Sequence, residues 1–249
     1  MNIADILKST GHRSYPPPTT PWLMTQSWDE LLFAHWRVPK EQIALLIPKE
    51  FEVDTYDQSA WIGVVPFMMR KVRFARTPFL PYVSEFLELN VRTYVRYKGE
   101  PGVYFFSLDA SNPLAVDGAR ISYSLPYFNA RMRKRMVDGW SLYESKREDK
   151  RGADCQLKVL YRPLPTKLSA VENPDGLPYF LTERYRLFTK KHDQVYKAEV
   201  HHTPWPLQLA EAQFRVNTML EPLGLNPKEE PILYYSHQLL TLEWAPYMC

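Results

Sequence analysis

Glycine is scarce in this chain, with 9 residues among 249, whereas proline reaches 22. Average usage puts glycine ahead. The inversion argues against long helices and for many short elements joined by stiff connections. Cysteine is scarcer still: Cys155 falls in an apparent strand and Cys249 is the last residue. Two such thiols make no disulfide framework and suit a reducing compartment. No C-x-x-C or H-x-x-x-H pair offers zinc spacing, and no G-x-S-x-G elbow is present. Long apolar runs are missing as well. Ile62 to Met69 is broken by Pro66, and Ile43 to Pro48 is shorter. Neither approaches the ~20 residues of a membrane-spanning helix. Met1 to Gly11 carries Asp5 and Lys8 and no secretory apolar core. The expected location is the cytoplasm, with no membrane partner. An excess of one charge is absent too, since 31 Lys+Arg against 28 Asp+Glu leaves +3. That gives no general case for nucleic-acid binding.

What the chain does have is aromatic side chains, at 14%, within a 45% hydrophobic composition. These values exclude a disordered chain and point to a mostly β protein. Residues 1–21 end in Tyr15-Pro16-Pro17-Pro18-Thr19-Thr20-Pro21 and read as an extended lead-in. Residues 22–249 read as one domain, without a repeat or an internal linker. Trp28 to Val38 reads as a strand, and Pro39 opens a short helix over Lys40 to Ile47. Phe51 to Tyr56 and Ala60 to Met68 read as paired strands around Asp57-Gln58-Ser59. Glu88 to Arg96 alternates strictly and returns through Lys98 to Gly102 into Val103 to Leu108, a hairpin. Ala119 to Leu125 is a further strand candidate, and Ala130 to Met136 is either helix or strand. Gly139 to Glu144 and Asp154 to Tyr161 flank a charged tip, Ser145 to Gly152. Arg184 to Phe188 and Val195 to Val200 form another hairpin. Leu207 to Leu220 reads as an amphipathic helix, and Tyr234 to Trp244 as a closing strand. About ten strands and two or three short helices describe one closed or nearly closed β architecture.

The alternating strand carries the strongest local chemistry. Leu89, Val91, Thr93 and Val95 share one face; Glu88, Asn90, Arg92, Tyr94 and Arg96 share the other. Facing solvent, the polar set is an ordinary sheet exterior. Facing inward, it lines a polar cavity, where carboxylate and guanidinium neutralise each other and orient a small ligand. Ser107 and Asp109 share a strand face, but Asp109 reads as a turn cap before Ala110-Ser111-Asn112-Pro113. His35 beside Trp36 reads as a hydrogen-bonded core histidine or a functional one. His201 and His202 are adjacent, so in a strand they point to opposite faces. Trp205, between two prolines, suggests a packed corner. Arg131 to Arg151 holds eight basic and four acidic residues, a balance of +4. This segment is a solvated edge or a docking surface.

A family resemblance rests on several motifs. They are His35-Trp36-Arg37-Val38-Pro39, Leu45-Leu46-Ile47-Pro48 and Trp61-Ile62-Gly63-Val64-Val65-Pro66-Phe67-Met68. Phe86 to Val95, Gly102 to Ala110, Tyr123-Ser124-Leu125-Pro126-Tyr127, Glu183-Arg184-Tyr185 and His202 to Leu207 extend it. The combination resembles the YqjF-like family of bacterial proteins, a domain of unknown function, over Trp22 to Trp244. That family is distantly similar to acetoacetate decarboxylase-like proteins. The resemblance implies a mainly β fold with a few short helices, a closed or nearly closed antiparallel double-β barrel with an internal cavity. The decarboxylase forms a Schiff base on a lysine. The strand here that resembles its lysine-bearing one runs Ser124-Leu125-Pro126, followed by Tyr127 and Phe128; Lys134 is the nearest downstream lysine. A tyrosine forms no imine. The expectation is therefore a small-molecule-binding barrel lacking that lysine, with no cofactor and no metal. Its ligand is a small polar or carboxylate-bearing molecule held by Glu88, Asn90, Arg92, Tyr94, Arg120, Tyr123, Tyr127 and His35, within walls of Trp61, Tyr104 and Phe106. An enzyme acting on a small carbonyl substrate through Glu88 as general acid/base is the alternative. A scaffold docking through residues 131–151 is another.

Overall fold

The computed structural model describes residues 3–77 and 84–249, and the following statements concern those residues. Thirteen strands account for most of the ordered backbone. Five of them form a continuous wall in the order β12 (Ile232–Glu243), β1 (Met24–Val38), β3 (Ala60–Phe74), β4 (Glu85–Tyr97) and β5 (Glu100–Ala110). On one side an arc closes the wall from β5 to β12: β6 (Tyr127–Val137), β7 (Trp140–Arg147), β8 (Gln156–Leu168) and β11 (Leu207–Asn217). That circuit is a ring of nine strands. On the other side, β9 (Arg186–Lys191) and β10 (Gln194–His201) bridge the same two wall strands. Pairing is antiparallel except where β5 meets β6 and β9.

A wall shared by two rings buries both faces. Alternate residues of β1 and β3 divide accordingly. Leu32, Ala34, Ile62 and Val64 join one apolar cluster with Tyr143, Val159 and Tyr161 of the four-strand arc. Leu31, Phe33, Trp61, Val65 and Phe67 join another with Trp205 and Leu181. In β4, Leu89, Val91 and Val95 belong to the first cluster, while Glu88, Asn90, Arg92 and Tyr94 face the other way. The polar–apolar alternation of this strand thus marks cavity against core, and only Arg96 reaches solvent as a sheet exterior would.

Turn chemistry sets two hairpins. Lys98 and Gly99 both take positive φ (50° and 79°) between paired Tyr97 and Glu100, as do Asp138 and Gly139 (48° and 80°) between Val137 and Trp140. Two-residue turns of this hand match strand twist. The first is tighter than the five-residue turn expected at 98–102.

Several expectations are corrected. Ala119 to Leu125 is not a strand. It belongs mostly to helix α3 (Pro113–Tyr123), started by Pro113 and by Asn112, whose side chain accepts from the Leu114 and Ala115 amides at 3.0 and 3.2 Å. A cap and a helix-opening proline outweigh the β-branched residues. Leu207 to Leu220 is not a helix; pairing with β8 holds β11 extended, so that Ala210, Ala212 and Phe214 share the core-facing side. Short apolar patterns fit both periods, and the ladder decides. Residues 52–53 form only a two-residue strand, β2 (Glu52–Val53), paired with β4 rather than β3. The lead-in is not extended throughout: Ile3–Lys8 forms helix α1, with Ile6 fully buried. The short helix expected over 40–47 is α2 (Lys40–Ala44), and the ambiguous 130–136 segment lies in β6. Asp109 is no turn cap. It is buried and accepts from the Nε and Nη2 of Arg147, at 2.9 and 2.7 Å. The charged tip therefore turns Arg147 inward instead of leaving it solvated.

Candidate functional site

A cavity of about 450 Å³ opens between the wall and the β9–β10 bridge. Met24 and Trp28 of β1, Phe67 and Met69 of β3, and Phe105 of β5 give it an apolar and aromatic lining. α3 forms one side, presenting Ala115, Gly118, Ala119, Ser122 and Tyr123, a set spaced for one face of a helix. Trp205, the expected packed corner, also lines it and stacks on Trp28 at 5.9 Å.

Into this apolar space the wall projects a few polar groups. Glu88, Asn90 and Arg92 arrive together because they sit at alternate positions of β4. Glu88 is 3% exposed, and its Oε2 accepts from the Tyr127 hydroxyl at 3.0 Å. Burial, aided by the nearby Glu243 carboxyl and opposed by the Tyr127 hydrogen bond, raises its pKa from 4.5 to about 8. Glu88 is therefore a neutral acid at pH 7. Burial alone raises Glu243 to about 8 as well. Tyr127 is pushed far above the ordinary phenol value by burial and by Glu88. Arg120 donates to the Tyr127 carbonyl at 2.7 Å and so holds that strand end from outside the cavity.

Arg92 is 9% exposed and makes no ion pair among the described residues; its Nη2 donates to the Leu181 carbonyl at 3.1 Å, and its buried Nε has no partner. The Leu181 carbonyl, in helix α4 (Leu177–Thr182), also accepts from the Tyr94 hydroxyl at 2.7 Å. Tyr94 in turn lies 2.7 Å from His35 Nε2. Since the phenol proton is given to Leu181, Nε2 carries the imidazole proton and donates. Burial, then the Arg92 charge, depress the His35 pKa and keep the ring neutral. His35 and Tyr94 thus brace α4 and Arg92 without reaching the cavity lining. Their ring fits only because residue 63 is glycine: a Cβ there would lie 2.9 Å from the His35 ring.

The structure brings together Glu88, Asn90, Arg92, Tyr123 and Tyr127 of the expected set. It places His35, Trp61, Tyr94, Tyr104, Phe106 and Arg120 outside the lining. Trp61 packs in the wall's apolar cluster. Tyr104 and Phe106 face the nine-strand core because β5 carries a bulge: Val91 pairs with Ser107 and Arg92 with Phe105, leaving Phe106 extra. The bulge turns Val103, Phe105 and Leu108 to the cavity instead. Glu88 and Arg92 do not neutralise each other. Four residue steps along the strand separate them by about 13 Å, and each has another partner. Glu243 was missed by sequence reasoning. It is the only acid between Leu239 and Trp244, and that isolation in an apolar stretch was its available signal. No lysine lines the cavity. Lys134, on β6, pairs with Glu30. Among the described residues no group of three or more His, Cys, Asp or Glu side chains is arranged to hold a metal. Nor, among the described residues, is any helix long and apolar enough to cross a membrane.

Such a partitioned β barrel with an internal cavity is the fold of acetoacetate decarboxylase-like proteins. The acetoacetate decarboxylase of Legionella pneumophila aligns with TM-score 0.62 at 13% identity, covering 96% of this chain and 93% of that one. The enduracididine biosynthesis enzyme MppR, solved with pyruvate, aligns with TM-score 0.63 at 11% identity over 94% and 93%. An acetoacetate decarboxylase-like enzyme from Sphingomonas wittichii RW1 gives 0.63 at 10% identity over 95% and 98%. Identities this low establish the fold alone. Sequence comparison is more specific. Residues 25–239 match the DUF2071 family, described as an uncharacterized conserved protein. The uncharacterized protein YqjF of Bacillus subtilis (strain 168) is 43% identical over 224 residues, 90% of this chain and 91% of the relative. The chain belongs to the DUF2071 family.

Proposed function

We propose that this protein binds a small carboxylate-bearing molecule with an apolar body, and that Arg92 is the anchor for the carboxylate. The supporting observation is Arg92 itself: a buried guanidinium on an apolar cavity, with an unpartnered Nε and no acidic neighbour to neutralise it. A buried cation without a counter-charge is costly, and a planar fork suits a ligand carboxylate. Asn90, whose buried Oδ1 also lacks a partner, stands one alternate position away. The decarboxylases among the structural neighbours do not carry their activity to this chain, because an imine needs an amine and no lysine lines this cavity.

A thermal-shift panel of small carboxylic acids such as hexanoate and 3-phenylpropionate tests the reading. At a hundredfold excess over Kd, binding adds about 2.7 kcal/mol, a rise of roughly 5–10 °C for a chain this size. Arg92→Gln abolishes the rise while its own far-UV spectrum stays native. A flat response of the wild type across the panel sinks the proposal.

A second reading rests on a separate observation, the neutral Glu88 acid in hydrogen-bond contact with Tyr127. A carboxyl with its pKa near the working pH is suited to proton transfer. In this reading Glu88 protonates or deprotonates a bound carbonyl compound while Arg92 holds its carboxylate. Glu88→Gln then loses turnover by about 10²–10⁴-fold and keeps carboxylate binding. Equal turnover in the variant removes this role.

A further inference from the structure

Glu243 has no part in the carboxylate reading. It closes β12, paired through its backbone to Met24 of β1 and Val200 of β10, where the wall meets the bridge. The side chain is 8% exposed, lines the cavity, and makes no side-chain hydrogen bond or ion pair among the described residues. Glu88, Tyr123 and Tyr127 line the same cavity, and the Glu243 carboxyl adds to the upward pKa shift of all three. The Tyr123 hydroxyl is buried and equally unpartnered. Cations that could compensate two carboxyls are already engaged. Arg184 pairs with Asp54 at 2.7 Å, and Arg186 with Glu199 at 2.8 Å and Glu100 at 3.3 Å. Arg92 lies about 13 Å from Glu88 along β4.

The acceptor count matches one kind of ligand group. A primary ammonium has three N–H donors. Glu88 keeps a carboxyl oxygen beyond the one Tyr127 occupies, Glu243 offers its own, and the Tyr123 oxygen is free. Aromatic walls of Trp28, Phe86 and Phe105 add π faces, which attract cations.

We infer that Glu88, Glu243 and Tyr123 form a subsite for a protonated amine, so that the cavity takes an amphiphilic amine. Combined with the Arg92 reading, the ligand carries amine and carboxylate at opposite ends of an apolar body. The subsite rests on the cavity being a ligand site and not on Arg92 as an anchor.

Binding an ammonium ionises one carboxyl of the pair, whose proton passes to buffer. The charged and titratable groups facing it are Glu88 and Arg92 from β4, Glu243 from β12, Tyr123 from α3, Tyr127 from β6, and the paired Arg184 and Arg186. Only the two carboxyls change charge between pH 6 and 8.

Isothermal titration calorimetry with 2-phenylethylamine and hexylamine, in buffers of different ionisation enthalpy, reads this directly. Hexanoate and 3-phenylpropionate form the acid arm. The expected result is release of about one proton per amine and about tenfold tighter binding at pH 7 than at pH 6. Glu243→Gln weakens the amines at least tenfold and leaves the acids unchanged; Glu88→Gln repeats the result if either variant folds poorly. Arg92→Gln leaves the amines unchanged. Acids that bind where amines do not overturn the amine subsite and keep the Arg92 anchor. Amines that bind where acids do not overturn the anchor and keep the subsite. No binding by either probe set overturns both, and amine binding indifferent to both glutamate substitutions overturns the subsite.

Discussion

Glu88 and Glu243 hold their protons to about pH 8 in the folded chain, against an ordinary value of 4.5. Between those limits the folded state binds more protons than the unfolded state. Stability therefore falls as pH rises through that window, by at most about 1.4 kcal/mol per pH unit for each group. The buried histidines act oppositely. His201 and His202 are lowered by burial to about 4 and about 3, and His35 also falls. They contribute stability that rises with pH and is complete by about 6.5. The two slopes oppose each other below pH 6.5, and the carboxyls are exposed alone between 6.5 and 8. Urea unfolding in that interval is expected to show a declining midpoint. Glu88→Gln and Glu243→Gln each remove part of the decline, and an unchanged slope in both would refute the neutral-acid assignment. Arg147 follows another logic at the same scale. Removing it strands the Asp109 carboxylate in the core, and Arg147→Met is expected to cost about 3–5 kcal/mol in the same assay.

Among the elements, β4 was the most legible and β5 the least. Strict alternation from Glu88 to Arg96 announces a strand with two unlike faces, and Lys98-Gly99 supplies the turn. The bulge at Phe106 has no such mark. It arises from how β5 must bend to pair with β4, β6 and β9, and it reverses the facing of Tyr104 and Phe105. α3 and β11 were read in each other's class because each short apolar pattern fits two periods. Asn112-Pro113 marks the start of α3 for a reader who weighs caps first. The glycines give a prediction for two elements. Gly63→Ala drives a Cβ into the His35 ring at 2.9 Å and loosens the brace on α4 and Arg92. It is expected to cost about 1–3 kcal/mol. Gly118→Ala on α3 meets nothing within 4 Å. Helix propensity alone then stabilises it, by up to about 1 kcal/mol. Chemical denaturation of the two variants should give shifts of opposite sign.

At the scale of the molecule, the segment before β1 is tied to the β9–β10 bridge. Arg13 reaches Glu199 at 3.2 Å and the Val200 carbonyl at 3.0 Å; its guanidinium lies over the Tyr185 ring at 4.5 Å. His201 contacts the Ile6 carbonyl at 2.8 Å, and Tyr179 donates to the His12 carbonyl at 3.0 Å. These bonds fasten the segment to β10 beside its pairing with β12, which is only two residues long. Arg13→Ala leaves Glu199 its second partner, Arg186. The loss is therefore expected at about 2–3 kcal/mol. Hydrogen exchange should quicken at Val200 and His201 while β7 and β8 keep their protection. Uniform loss of protection would show instead that the two rings unfold as one unit.

The sequence by itself determined that the chain is mainly β, that Glu88, Asn90 and Arg92 share one face of a strand, and that Tyr127, not a lysine, directly follows Pro126. These are local properties: a period of two, turn residues and the identity of a side chain. Only the tertiary structure decided what that face looks at. Period two says that two faces differ, but both are buried here, because one wall serves two rings. Closure through β10 and β12 carries Glu243 into the same cavity as residues more than a hundred positions away. Ring closure depends on pairings remote in sequence, so no local pattern records it.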